Sequence, residues 1–279
     1  MNVIDSHVHF WDPRVLDYPW LSEHDALRRP YGPDDLAASA QAVDGVVFVE
    51  AGCREDLAFE ELAWVRRLAN GSPPILGVVA QAPVERGDGA ATDVALLASH
   101  PLVRGVRRNL QDEAAGFALA ASFVDGVRLL ADHDLTFDLC VRHHQLPEAA
   151  ALVATVPEVS FVLDHLGKPP VAAGHLDPWR ENLTRLARLP NVTCKLSGLA
   201  TEADPAGWRE EETLPFVRHA LTEFGPDRCM FGSDWPVATL ATTYPRWSQV
   251  VTAALADWPP PAHHAVFGGT ARRVYRLED

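Results

Sequence analysis

The stretch Ile4-Asp5-Ser6-His7-Val8-His9-Phe10-Trp11-Asp12 decides how this chain is read. Val3 and Ile4 open it as a buried strand, and the strand delivers two histidines, two residues apart, just before a Trp-Asp-Pro loop. Side chains alternate faces along a strand, so His7 and His9 point the same way. Two imidazoles converging at the carboxyl end of an N-terminal strand form half of a metal or substrate site.

Short β-branched runs like Val3–His9 recur at Gly45–Glu50, Ile75–Gln81, Val103–Arg107, Thr136–Val141, Val159–Asp164, Val192–Lys195 and Arg228–Ser233, which makes eight candidate strands. Between them, Glu55–Ala69, Gly116–Asp132, Leu146–Val156, Pro178–Leu189 and Trp208–Phe224 carry helical spacing. Pro33-Asp34-Asp35 opens a further helix and Pro178 sits in a first turn, while Asn70-Gly71 and Gly225-Pro226 close two others. Strands separated by helices rather than by two-residue turns pair in parallel. Eight such units in about 250 residues predict an α/β fold of the (β/α)8, TIM-like barrel type. An open doubly wound sheet is the competitor, but no Gly-x-Gly-x-x-Gly turn follows the first strand. No Gly/Ser-rich or charged linker divides the 279 residues, so one domain spanning 1–279 is expected.

Composition narrows the function. The chain is 47% hydrophobic and 22% charged, ample for a core, and its formal charge is −14. That charge repels a polyphosphate backbone or an anionic membrane surface, which argues against nucleic acid and membrane partners and for a small substrate. Cys53, Cys140, Cys194 and Cys229 form no C-x-x-C pair and read as buried thiols of a reducing compartment. The first acid comes at Asp5 and no apolar run approaches membrane-spanning length, so neither a signal peptide nor a transmembrane helix is expected and the cytoplasm is the simplest location.

In a barrel the active site lies at the carboxyl ends of the strands, which tests each candidate by position. The last strand ends in Phe231-Gly232-Ser233-Asp234-Trp235-Pro236; Asp234 there is either a helix N-cap or a site acid, and Trp-Pro is a poor first helical turn. Barrel closure makes the first and last strands neighbours, so His7, His9 and Asp234 should meet. Two histidines and a carboxylate suit zinc or a similar divalent ion, with a position left for water. His165 ends the sixth strand, where a ligand, a proton shuttle or a substrate hydrogen bond are all open. Glu50 ends the second strand and is either a fourth ligand or a salt-bridge residue. Arg107 shares parity with Gly105, whose missing side chain would leave room near the site, and a cation there would bind an anionic or hydroxyl-rich substrate. Lys195 ends an otherwise apolar seventh strand and is a candidate to orient substrate, and Asp138 in the fifth is a partner for such a cation or part of the floor. Phe10 to Tyr31 is long for a βα loop and holds Trp11, Tyr18 and Trp20, so it either covers the barrel mouth or packs as a surface loop. Trp20 and Trp235 are its and the last strand's substrate-facing candidates. His143-His144 reads as an ordinary loop feature.

The combination of Ile4–Asp12 with Asp164-His165-Leu166-Gly167-Lys168-Pro169, Lys195-Leu196-Ser197-Gly198-Leu199 and Phe231–Pro236 resembles the amidohydrolase superfamily, and within it the amidohydrolase-2 branch of sugar lactonases. Phe267–Tyr275 is similar to that branch's last helix, so the resemblance spans nearly the whole chain. The resemblance implies a distorted barrel that hydrolyses a small lactone. Asp234 would be the general base, His7 and His9 metal or substrate ligands, and His165 a site histidine. Arg107 stands where two-metal relatives carry a carbamylated lysine, so that bridge is not expected. One divalent metal ion, zinc first among the candidates, and a metal-independent reaction both stay open. Two other readings compete: metal-dependent non-oxidative decarboxylation, and a non-catalytic barrel that binds a sugar acid. No Gly-x-Ser-x-Gly elbow supports an acyl-enzyme.

Overall fold

A computed structural model describes residues 2–40, 43–204 and 207–278. All eight predicted strands form: β1 (Ile4–Val8), β2 (Gly45–Val49), β3 (Ile75–Gln81), β4 (Val103–Arg107), β5 (Thr136–Leu139), β6 (Phe161–Leu163), β7 (Val192–Leu196) and β8 (Cys229–Phe231). They lie in one sheet in sequence order, and each neighbouring pair is parallel. The architecture is the expected α/β barrel. Ile4, Val47, Val79, Val162 and Met230 pack together inside it, and the alternate residues Val46, Val78, Phe137, Phe161 and Phe231 pack under the surrounding helices. That alternation is the period-two burial of a sheet covered on both faces.

The helices follow their start and stop signals: α1 (Pro33–Ser39), α2 (Ala58–Leu68), α3 (Ala91–Ala98), α4 (Ala121–Arg128), α5 (Leu146–Thr155), α6 (Trp179–Ala187), α7 (Glu210–Phe224), α8 (Tyr244–Ala254), α9 (Pro260–His264) and α10 (Thr270–Val274). The segment 116–132 departs from expectation. Gly116 is left-handed and Ala120 extended at ψ 138°, so only α4 is α-helical there, flanked by tighter turns at Phe117–Leu119 and Leu129–His133. Helical spacing marks the buried face of the segment but is blind to these two backbone breaks.

Two distortions place the site. Ile4 pairs with Gly45 and Asp5 with Val46, but Val8 pairs with Phe48, so β1 carries one residue more than β2. Ile4 faces the barrel interior and, by strict alternation, His7 would face outward; the bulge turns His7 and His9 inward together. The β8–β1 seam closes beyond the end of β8, through Asp234 N–H to His7 O at 2.9 Å and His9 N–H to Trp235 O at 2.8 Å. Lower down, side chains stitch it: Ser6 Oγ donates to Phe231 O at 2.7 Å and Asp5 Oδ1 accepts from Ser233 N–H at 2.9 Å. The C-terminal segment, with a helix (α10) in the stretch Phe267–Tyr275 that resembles a last helix, seals the barrel floor with Ala271, Tyr275 and Leu277.

The 10–31 connection is both packed and site-forming. Trp11 and Tyr31 exchange backbone hydrogen bonds at 3.1 and 2.8 Å and close its ends, Tyr18, Leu21 and Leu27 are buried, and Pro19, Trp20, Glu23 and His24 line the cavity above the barrel. The four cysteines are free and buried. Among the described residues no helix is long and apolar enough to cross a membrane.

Candidate active site

A cavity of ≈ 740 Å³ opens at the carboxyl ends of the strands, with His9, Glu50, Arg107, His165 and Asp234 at its base. This is the position the barrel dictates. Asp234 Oδ1 is 3.4 Å from His9 Nε2 and 3.8 Å from both His7 Nε2 and His165 Nε2. Residues from β1, β6 and β8 thus converge on one carboxylate. Asp234 takes a left-handed φ of 61°, which turns its side chain over the barrel end; it caps no helix, since the next helical turn begins at Val237 without it.

The partners of each ring fix its orientation. His9 Nδ1 lies 2.8 Å from Val49 O, and a carbonyl only accepts, so Nδ1 carries the proton and Nε2 offers a lone pair to the centre. His7 Nδ1 sits between a donor, Lys195 Nζ at 3.1 Å, and an acceptor, Asp164 Oδ1 at 3.2 Å. If Nδ1 accepts from Lys195, then Nε2–H points at His9 Nε2 across 3.1 Å. If Nδ1 donates to Asp164, two lone pairs and the Asp234 carboxylate face one another, an arrangement that suits a cation. Among the described residues two buried donor groups are close enough to hold a metal ion: His7, His9 and Asp234, and His7, Asp164 and His165. The residues therefore fit a divalent metal with nitrogen and oxygen ligands.

His165 arrives by an unusual route. Val162 faces the barrel interior, so Asp164 follows it inward and strict alternation would send His165 out. Instead His165, Leu166, Gly167 and Lys168 are all left-handed, with φ of 52°, 54°, 69° and 47°. Each non-glycine residue in that conformation costs about 1–2 kcal/mol. Buried Leu166, whose carbonyl accepts from Trp179 Nε1 at 2.7 Å, holds the turn. The imidazole is seated by Ser197 Oγ, 2.9 Å from Nδ1, and by Gly198, where a Cβ would come within 2.5 Å of Nδ1.

Beneath the histidines lies a buried ionic layer. Asp164 is 3.0 Å from Lys195 Nζ and 3.1 Å from Arg107 Nη1. Lys195 Nζ also donates to Asp138 Oδ2 at 2.6 Å, which accepts from Tyr275 Oη at 2.7 Å. Arg107 Nε donates to Glu50 Oε1 at 2.5 Å, and Glu50 Oε2 accepts from Gly52 N–H at 2.7 Å. Burial drives the Asp164 carboxyl up, but Lys195, His7 and Arg107 outweigh it and hold it well below the usual range. For Asp138 burial prevails over Lys195 and the shift is upward. Burial lowers His7 well below its ordinary value and His165 to about 4, so both imidazoles are neutral near neutral pH. Asp234 is likewise penalised by burial, yet His165, His9 and His7 hold it below the carboxylate range, so it is ionised.

His9, His165, Asp234, Glu50 and Arg107 meet at the cavity base, and wholly buried His7 stands behind them, 3.8 Å from Asp234. Glu50 takes the salt-bridge role of its two readings, and three other details differ from expectation. Glu50 belongs to neither donor group among the described residues; both its oxygens are committed to Arg107 and Gly52. Lys195 is wholly buried under His7 and makes no part of the cavity wall, because its ammonium is drawn to two carboxylates. Trp235 packs edge-on against Phe10 and Tyr31, away from the cavity, whereas Trp20 lines it and anchors its Nε1–H on Ala51 O at 2.8 Å. The room beside Gly105 is filled by Thr136 Oγ1, 2.1 Å from where a Cβ would sit, so it serves the packing of β4 on β5. Arg107 faces inward and Arg108 outward to Glu85 and Glu113, as alternation predicts. Asp164, Ser197, Gln111 and Lys168 were not singled out as site residues; the Asp164–Lys168 run signals its importance only through its place at a strand end. His143 and His144 lie in a short turn before α5.

The sequence profile of the amidohydrolase family Amidohydro_2 matches residues 4–277. An L-fucono-1,5-lactonase of Burkholderia multivorans is 40% identical over 99% of this chain and 96% of its own, and an L-fucono-1,5-lactonase of Burkholderia ambifaria is 34% identical over 99% and 96%. A crystal structure of a Burkholderia multivorans amidohydrolase with bound zinc superimposes with a TM-score of 0.90 at 39% identity, covering 100% of both chains. With this fold and this coverage, the chain belongs to the amidohydrolase family.

Proposed function

We propose that this chain hydrolyses a small sugar lactone by direct attack of water, with Asp234 as the base. The observation that carries the mechanism is the convergence of His7, His9 and His165 on the ionised Asp234 carboxylate at the floor of an open cavity. Two relatives that match along nearly the whole chain are named L-fucono-1,5-lactonase, which makes a hydroxylated aldonolactone the first substrate to offer. The decarboxylase alternative is not favoured by these relatives.

Asp234 takes the proton from water as the oxygen adds to the lactone carbonyl, and returns it to the ring oxygen as the tetrahedral intermediate collapses. General acid–base assistance of this kind contributes roughly 10²–10⁴-fold. The products are a hydroxyl and a carboxylic acid that loses its proton to solvent near neutral pH, and every bond change is made by water and Asp234 without a covalent enzyme intermediate. His7, His9 and Asp234, with His165 beside them, would hold a divalent metal, zinc being the one a relative's structure carries. When bound, such an ion acidifies water and polarises a carbonyl, which offsets the weak basicity of a carboxylate held below its usual range. His165, neutral and hydrogen-bonded to Ser197, is placed to contact the carbonyl oxygen, and Arg107 fixes Glu50 and Asp164 so that the floor keeps its shape.

A pH-indicator assay with aldonolactones tests this. Asp234→Asn should lower kcat by at least about a hundredfold with an unchanged circular dichroism spectrum; near-normal turnover would end Asp234's role. Chelation should lower the activity and zinc restore it. Full activity after chelation would remove the metal and leave Asp234 working alone. A protein that binds sugar acids but releases no proton from any lactone would be the non-catalytic barrel.

A further inference from the structure

The left-handed turn that brings His165 inward also delivers a second side chain. Lys168 N–H closes the turn on His165 O at 2.8 Å, and in a three-residue turn the side chains at i and i+3 project to the same side. His165 and Lys168 accordingly both line the cavity. The lysine and arginine side chains around that cavity are Arg54, Arg107, Arg142 and Lys168. Arg54 is paired with Asp56 at 2.5 Å, Arg107 with Glu50 at 2.5 Å, and Arg142 with Asp112 at 3.0 Å. Among the described residues Lys168 has no carboxylate within 4.0 Å. Its Nζ instead donates to the neutral Gln111 Oε1 at 2.5 Å.

An ammonium carries three donors, and one of them is used. Gln111, from the connection after β4, is engaged through its Oε1, which also receives the Cys140 thiol at 3.9 Å, so its amide N–H groups extend the same polar edge. Five carboxylate side chains line the cavity against four cationic ones, and the chain is −14 overall, so the surroundings do not favour an anion. An ammonium and an amide side by side in such a wall match a neutral hydroxyl, which can accept from one and be oriented by the other.

We propose that Lys168 and Gln111 form the subsite that grips one ring hydroxyl of the lactone, on the β4–β6 side of the cavity, and so make the enzyme selective for lactones that carry that hydroxyl. The proposal rests on the lactonase reading above. It assigns the two residues to substrate selection and leaves the water attack to Asp234. A site built to bond a hydroxyl rejects the analogue that lacks it, because its own polar groups are then left unpaired.

The test uses purified full-length enzyme and a panel of aldonolactones of one ring size that differ by replacement of a single hydroxyl by hydrogen. Lys168→Met should lower kcat/KM for the fully hydroxylated lactone roughly 10- to 100-fold, mostly through KM. For the one deoxy lactone that lacks the gripped hydroxyl, the same variant should change kcat/KM by less than about threefold. Gln111→Leu, on a different element, should show the same substrate-dependent pattern, and it carries the test if the lysine variant fails to fold. An equal loss on every lactone would place Lys168 at the common ester group or in the fold and overturn the proposal. So would an unchanged panel, or a wild-type preference for carboxylate-bearing lactones that the variant loses. A wild-type enzyme that opens none of the panel overturns the lactonase reading and the subsite with it.

Discussion

Lys195 Nζ lies 2.6 Å from Asp138, 3.0 Å from Asp164 and 3.1 Å from His7, with no exposed surface on any of the four side chains. A lone ammonium at that depth would be strongly disfavoured, and so would either carboxylate. Together they form a rigid base on which His7 stands, and Arg107 extends it to Glu50. Replacement of the lysine by an isosteric apolar residue leaves Asp138 buried without a cation and Asp164 with Arg107 alone. Lys195→Met should therefore lower the unfolding free energy by about 3–5 kcal/mol, measured by urea denaturation. Activity in the folded fraction should fall as well, because Asp164, which faces His7 Nδ1 at 3.2 Å, loses the ammonium that fixes it. An unchanged midpoint would show that Asp138 and Asp164 find other partners.

The β6 end and the β7 end act as a unit. The left-handed run from His165 to Lys168 is costly on its own and persists because Leu166 and Trp179 pack beneath it and Gly198 clears space above. Gly198 has φ +68°, and a Cβ there would meet His165 Nδ1 at 2.5 Å. Gly198→Ala should cost about 1–2 kcal/mol in backbone strain and displace the imidazole. The expected result is a modest drop in thermal midpoint with a much larger drop in kcat for lactone opening. A variant that loses stability and activity in proportion would mean that Gly198 serves the fold alone. Period-two alternation fails at this element, and also in β1, for the same reason: a bulge or a left-handed turn reverses facing without altering the residue pattern.

At the scale of the molecule, the barrel is closed by side chains along one seam and at its floor. The seam between β1 and β8 is stitched by Asp5 and Ser6, and the floor is filled by Tyr275, whose ring is fully buried and whose hydroxyl reaches Asp138. Tyr275→Ala would open a cavity under the ionic layer and remove one of Asp138's partners, at a cost of about 3–5 kcal/mol. Tyr275→Phe keeps the volume and should cost about 1–3 kcal/mol, so denaturation of the two variants separates packing from hydrogen bonding; equal losses would contradict a packing role. The eight strands, their parallel order and the meeting of His7, His9 and Asp234 were legible in the residue pattern, whereas His165 was legible only as a strand-end residue and joins them through the left-handed turn. Strand and helix periodicity is local, and barrel closure then allows one arrangement of the first and last strands. Glu50's commitment to Arg107, the withdrawal of Lys195 below His7 and the turning of Trp235 away from the cavity depended on the assembled barrel. Long charged side chains choose partners by distance and burial across the closed sheet, and those quantities exist only once the strands have come together.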